Sequence, residues 1–363
     1  MKVLIAYRDN LLNDNMFVKT LVEGLRSMNI TVDLSLDFFW DKELSEMYDI
    51  IHIHWPEELF LWKNVLDTDL VRLTDKLKLL RDKGVKIVYT RHNLAPHYPN
   101  ENIDKLYCII ETYSSAIVHM GYFSMQEFKD KYPSNEIFQA VIPHHVYENV
   151  YNENYTQEES RKRLKIPLNK FVILSFGKFR FKDEMMMVLK AFYKLPLKNK
   201  YLLAPRFFPF EKRSNNISFL KRLFSFFGYY VIYPISSYFN TRLGLEKELV
   251  TDEDLPLYFI AADIVFIQRK NILNSGNIPT SFLFKKVVVG PDCGNITEIL
   301  EATLNPLFNP GDNKSVTNAL KEAYLLSKGM HGVNNYIYAL EHWGVQAISI
   351  EYLRLYKIIS TNR

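Results

Sequence analysis

Between residues 261 and 300 the chain alternates apolar runs with small-residue turns in an order that few architectures accommodate. Residues 261–267, with Asp263 inside them, read as a strand buried on both faces, the pattern of a parallel sheet. Polar and small residues take over at Asn274, Ser275, Gly276 and Asn277, and the apolar segment from Ile278 to Phe284 begins a helix. Lys285 and Lys286 lead into a second strand, 287–290, and Gly294 allows a tight turn into a further helix containing Glu298. A strand that runs through a small-residue turn into a helix brings bare backbone N–H groups and the positive end of a helix dipole to one point, which suits a phosphate. An ordinary strand-to-helix loop fits the turn equally well on its own.

The same alternation starts at the N-terminus. Strands are expected at 2–7, 30–36, 49–54, 86–90, 115–120 and 138–142, with helices at 15–28 and 66–83. In the first helix Phe17, Val18, Leu21, Val22 and Leu25 recur at helical spacing. Such βαβ order implies a parallel sheet covered by helices on both faces, with ligands beyond the carboxyl ends of the strands. A crossing between domains is expected in 146–170, where Thr156 and Glu159 form a capping box and Pro167 ends the helix. A second sheet then begins at 171–176 and continues at 201–204. Helices follow at 315–326 and in the closing run, where Ala347, Ile350, Leu353 and Tyr356 share a face. With 363 residues, two domains of about 170 residues are expected.

Polar clusters fall where strands end. The strand at 49–54 exits through His52, His54, Trp55, Glu57 and Glu58, and the strand at 86–90 through Arg91, His92, Asn93 and His97. His144 and His145 follow the strand at 138–142, and His119 ends the one before it, so seven of the nine histidines lie at strand ends. Each alone is as readily a satisfied loop histidine. Two histidines two apart on one strand are a possible zinc pair, but no third ligand is set by spacing. Sugar binding suits the set better: Trp55 offers a stacking face, and Glu, His and Asn hydrogen-bond hydroxyls. A histidine or a buried glutamate near an acceptor hydroxyl can also take its proton. In the second half, Gly177, Lys178, Arg180 and Lys182 occupy one strand-to-helix loop, a second phosphate signal.

Taken in order, DIVFIQRK, NSGNIP and KKVVVGPDCGNITEI resemble the donor-binding segment of GT-B glycosyltransferases, in particular those that assemble bacterial capsular and exopolysaccharides. HIHWPE, TRHNLAPH and the closing HWGVQAISIEYLRLYK resemble other parts of the same enzymes, so the likeness spans nearly the whole chain. It implies an α/β GT-B architecture: two Rossmann-like domains with parallel sheets facing across a cleft, at 1–165 for the acceptor and 166–343 for the nucleotide sugar. A C-terminal helix, 344–363, would cross back to the first. The implied activity is transfer from a UDP- or GDP-sugar to a lipid-linked oligosaccharide or other glycan, without a metal or other cofactor. The likeness assigns the donor diphosphate to Gly177, Arg180, Lys182, Ser275, Gly276, Asn277 and Ile278, and the charge of the same loop adds Lys178. The likeness also places His92 at the cleft, in contact with the donor sugar or acceptor; His92, Glu57 and Glu58 are the candidate catalytic residues, and the residue chemistry above offers His54, Trp55, Arg91, Asn93 and His144 as sugar or acceptor contacts. Two departures stand out. Asp183 replaces a usual glycine, and the paired glutamates that retaining members carry around 274–282 are absent, which directs attention to a base in the first domain. A nucleotide-sugar epimerase of the same fold, or a non-catalytic glycan- or partner-binding relative, remains an alternative.

A charged fraction of 24% with 48% hydrophobic residues describes a globular chain. Cys108 and Cys293 form no metal or disulfide pattern, and residues 1–7 read as a strand rather than a signal peptide, so a cytoplasmic location is expected. A net charge of +4 without a recognition motif argues against nucleic acid. The outlier is 207–248, where aromatics mix with Lys and Arg. That mixture suits peripheral contact with the inner face of the membrane, or a buried helix and strand with 229–233 as the strand.

Overall fold

The structure, a computed structural model, describes residues 1–9, 15–94, 101–134, 136–212 and 218–361. Contacts divide it into two compact units: Met1–Tyr147 with Ile272–Asn274 and Glu341–Arg363, and Glu148–Asn271 with Ser275–Leu340. The first crossing therefore falls at the start of the expected region and ahead of residue 165. The helix Gln157–Arg163, capped by Thr156 and Glu159 as expected, belongs to the second unit. Arg161 ties it there, donating to Asp263 at 2.8 Å and to the Ala261 carbonyl at 3.0 Å.

The first unit holds β1 (Lys2–Ile5), β2 (Thr31–Leu34), β3 (Ile50–Ile53), β4 (Lys86–Arg91), β5 (Ala116–His119) and β6 (Phe138–Val141), in the order β2-β1-β3-β4-β5-β6. All its pairings are parallel. Residues β3 to β5 are almost wholly buried, because side chains pointing to either face meet a helical layer. One face buries Leu4, Ile51, Ile53, Ile87 and Tyr89 against the helices Asp67–Asp82 and Glu101–Tyr113. The other buries Val3, Ile5, Val88 and Val118 against the helix Met16–Ser27 and the C-terminal helix Val345–Thr361. That last helix lies so close to Met16–Ser27 that a Cβ on Gly24 would overlap Ser349 Oγ.

The second unit holds β7 (Phe171–Leu174), β8 (Lys200–Phe208), β9 (Thr241–Leu245), β10 (Ile264–Phe266), β11 (Val287–Pro291) and β12 (Leu307–Phe308), in the order β12-β11-β10-β7-β8-β9, again all parallel. The expected strand at 229–233 is instead helical, a π turn Gly228–Ile232 followed by Tyr233–Ser236. Its aromatics have high strand propensity, but Ser225, Tyr229, Ile232 and Tyr233 pack inward at helical spacing and decide the backbone. The edge strand β9 comes later, with Thr241, Leu243 and Leu245 alternating inward.

In both sheets the strand order reverses once. In the first the chain leaves β1 for β2 and returns on the other side at β3. In the second it leaves β7 for β8 and β9 and returns at β10. A crevice opens beyond the carboxyl ends of the strands at such a reversal, between crossovers that depart in opposite directions.

Candidate functional sites

In the second unit the reversal brings the expected segments together. Ser175, just past β7, donates through Oγ to Gln268 Oε1 just past β10, at 3.3 Å. Gln268 returns two bonds from Nε2, to the carbonyls of Phe176 (3.2 Å) and Gly177 (3.4 Å). Asn277 Nδ2 donates to the same Phe176 carbonyl at 2.9 Å, so the turn at 275–277 is pinned to the end of β7. Gly177 has φ +97°, a backbone shape that a side chain would strain, and it turns the chain towards the helix Lys182–Lys194. The Ile278 N–H already bonds the Ser275 carbonyl at 3.1 Å.

Charge gathers at this end of the sheet. Arg269, which no local sequence pattern marks, donates to Glu184 at 2.9 and 3.2 Å and to the Lys178 carbonyl at 2.6 Å. Burial presses the Arg269 pKa down, opposed by Glu184 and reinforced by Arg180. Lys178 pairs with Glu246 at 2.6 Å and Lys270 with Asp183 at 2.8 Å. Asp183, in place of the usual glycine, thus holds a lysine from the neighbouring loop. Glu184 also accepts the Arg180 N–H at 2.9 Å, which sets the loop and leaves the exposed Arg180 and Lys182 side chains directed to solvent. The position matching the second missing acid is Phe282, fully buried in the core.

In the first unit an aromatic cluster forms beyond β1, β3 and β4, with Phe17 at its centre. The Phe17 ring lies 5.4 Å from His54, 5.0 Å from His92, 4.9 Å from His144 and 4.7 Å from His145. His92 stacks on Trp55 at 4.2 Å, and its Nε2 shares a hydrogen with His54 Nδ1 at 3.2 Å. Asn274 Nδ2 donates to the His92 carbonyl at 2.9 Å, and Asn93 shares a hydrogen bond with Tyr107. Burial keeps four of the imidazoles neutral: it pushes His52 down to about 3 and His144 down to about 4, and holds His54 and His145 well below their ordinary value. His52 is fixed between Tyr356 (2.7 Å) and Thr90 (2.8 Å), and the His144 Nδ1–H donates to the His145 carbonyl at 2.7 Å. Among the described residues nothing bonds His54 Nε2 or either His145 nitrogen. No group of three His, Cys, Asp or Glu among them has the geometry to hold a metal.

Three expected contacts change character. Arg91 is 1% exposed and is held by Glu127 at 2.5 Å and Glu111 at 3.5 Å, so it braces β4 from inside and does not reach a sugar. Glu58 is held by Arg8 at 2.6 and 3.1 Å and by Trp62, and Glu57 accepts from Tyr107 at 3.0 Å on both oxygens. Both carboxylates are buried. Arg8 and Tyr107 lie 50 residues from the carboxylates they hold, beyond any local signal. His97 lies outside the described residues.

No family model and no curated protein sequence matches the chain. Solved structures do match it along its whole length. Anabaena HepE in complex with UDP-glucose is 16% identical, with 99% of this chain and 100% of that one covered and a TM-score of 0.67. Sucrose-phosphate synthase from Thermosynechococcus elongatus is 14% identical, with coverage of 99% and 98% and a TM-score of 0.66. A glycosyltransferase from Rickettsia africae is 13% identical, with coverage of 100% and 99% and a TM-score of 0.65. With its two Rossmann-like units, each a six-stranded parallel sheet between helices, the chain has the GT-B fold.

Proposed function

We propose that the protein is a glycosyltransferase that moves a sugar from a UDP- or GDP-sugar to a lipid-linked oligosaccharide or other glycan in cell-surface polysaccharide synthesis of the capsular or exopolysaccharide type. The observation that carries this is the meeting of 177–182, 268–270 and 275–278 at the reversal of the second sheet, in a fold whose HepE example was solved with UDP-glucose. In this reading Arg180, Lys182 and the turn Ser275, Gly276, Asn277 and Ile278 stabilise the charge that develops on the departing diphosphate, and no metal is needed. Gly177 lets the backbone approach, and Lys178 and Arg269 hold the loop in place through Glu246 and Glu184. The first unit takes the acceptor. His92, oriented by Trp55 and His54, is the base, because the Glu57 and Glu58 carboxylates are already bound. Trp55, Asn93 and His144 remain as sugar contacts. With a lipid-linked acceptor the protein works at the cytoplasmic face of the membrane.

A melting panel with UDP, GDP, CMP and a dinucleotide tests the donor. A nucleotide at about 100 times its Kd adds roughly 2.7 kcal/mol, several degrees for units of this size. Arg180→Ala is expected to remove that shift and to lower turnover more than about tenfold with an unchanged melting temperature of the free protein. Phe282 in place of an acid favours a second reading, a non-catalytic glycan- or partner-binding protein, and absence of a shift with any nucleotide would select it. Product formed from donor alone would select an epimerase.

A further inference from the structure

The segment joining β8 to β9 has its outer face built the wrong way round for water. From Phe219 to Phe239 the backbone is helical almost throughout, passing from Phe219–Phe227 through the π turn and Tyr233–Ser236 to a last turn at Ser237–Phe239. The inner face is well anchored. Ser225 Oγ accepts from the Glu211 N–H at 2.7 Å, Gly228 sits so close to the Phe210 ring that a Cβ would overlap it, and Tyr229, Ile232 and Tyr233 pack on the core of the second unit. The outer face is apolar. Phe219 is 77% exposed, Leu220 76% and Tyr238 85%, and Leu223, Phe224, Phe226 and Phe227 are each more than half exposed. A solvated helix carries polar residues there.

We infer that this face is a docking surface for a membrane, with the outer side chains of Phe219–Phe239 in the interfacial layer of an anionic bilayer. The charge pattern selects that occupant. Beside the apolar side chains stand the exposed Lys212, Lys221 and Arg222, and the sequence from 212 to 242 holds no carboxylate. A cavity of about 540 Å³ is lined by Phe219, Leu223, Phe226 and Tyr230 with Lys212, Arg222 and Glu211, and Glu211 is neutralised by Lys247 at 3.1 Å, so the cavity joins net positive charge to an apolar floor as a phospholipid headgroup and upper acyl chain require. A second copy seated on the same face would bring like charges together. No helix among the described residues is long and apolar enough to cross a membrane, so the segment lies in the plane of the interface. The inference deepens the reading of a lipid-linked acceptor but stands on separate residues.

Flotation of the full-length protein with vesicles of phosphatidylcholine alone, and of phosphatidylcholine with phosphatidylglycerol, tests it. Binding to the anionic vesicles is expected, with little to the neutral ones. Phe219→Ser with Leu220→Ser and Leu223→Ser should lower it by about 100-fold or more, on the scale of losing three interfacial apolar side chains. Lys221→Glu with Arg222→Glu should lower it by more than about 20-fold, from roughly fivefold for each cation near an anionic surface. All five positions are exposed, so melting temperatures and the nucleotide shift should be unchanged in both variants, which separates this test from that of the donor site. Wild-type protein that floats with neither vesicle, or a triple variant that floats as well as wild type, overturns the inference. So does a concentration-dependent dimer that the triple variant abolishes in the absence of vesicle binding, since the face would then join two copies.

Discussion

Mild acid should unfold the first unit well before ordinary carboxylate titration would. Burial holds His52 and His119 down to about 3 and His144 down to about 4, whereas an unfolded histidine takes a proton near pH 6.5. Unfolding therefore takes up protons across the window from about pH 6.5 to pH 4, and stability is lost as pH falls through it. At pH 5 each of these three imidazoles is neutral in the folded unit and almost fully protonated in the unfolded one. That costs about 2 kcal/mol each, or roughly 6 kcal/mol together, against a typical total of about 5–15 kcal/mol. His54 and His145, also held well below their ordinary value by burial, act in the same direction. Trp40, Trp55, Trp62 and Trp343 all belong to the first unit, so tryptophan fluorescence in urea follows that unit alone. Its unfolding free energy should fall by at least about 4 kcal/mol per pH unit near pH 5, the slope for those three protons, and by up to about 7 with His54 and His145 included. His119→Asn should remove about one proton from that slope. A slope below about 1.4 kcal/mol per pH unit, less than one proton, would refute the reading of buried neutral imidazoles.

Other changes probe the parts in turn. Arg269→Ala leaves Glu184, 2% exposed, without its cation, and should destabilise the second unit by about 3–5 kcal/mol in thermal unfolding followed by circular dichroism. Gly24→Leu forces Met16–Ser27 away from the C-terminal helix and should cost about 1–3 kcal/mol in the tryptophan-detected transition. If His92 is the base, His92→Asn should lower kcat about 100-fold or more while the nucleotide melting shift is retained; a loss confined to KM would make it a binding residue instead.

Much of the architecture was legible because buried parallel strands are continuous apolar runs and their crossovers are amphipathic helices. IIHI at β3 and VVVG at β11 needed no tertiary information, and neither did Thr156 with Glu159, a cap whose donors and acceptors lie within four residues. The glycine, lysine and arginine positions of the 177–182 loop and the small-residue turn at 275–277 were legible for the same local reason. The direction of Arg91 was not. Every residue of β4 from Ile87 on is buried, so alternation cannot say which face takes the guanidinium, and only the arrival of Glu111 and Glu127 on neighbouring helices turned it inward. The same holds for Glu58, committed to Arg8 across 50 residues, and for Arg269, whose place opposite Glu184 depends on the two strand ends meeting.

The sequence by itself determined the α/β alternation, the strands that needed burial on both faces and the loops rich in glycine, small residues and cations, because periodicity and turn chemistry are properties of near neighbours. Tertiary structure alone decided which polar groups stayed open. Each charge buried beside a strand end had to find a partner, and which residues became partners was set by the order in which the sheets assembled, with β1 against β3 and β7 against β10.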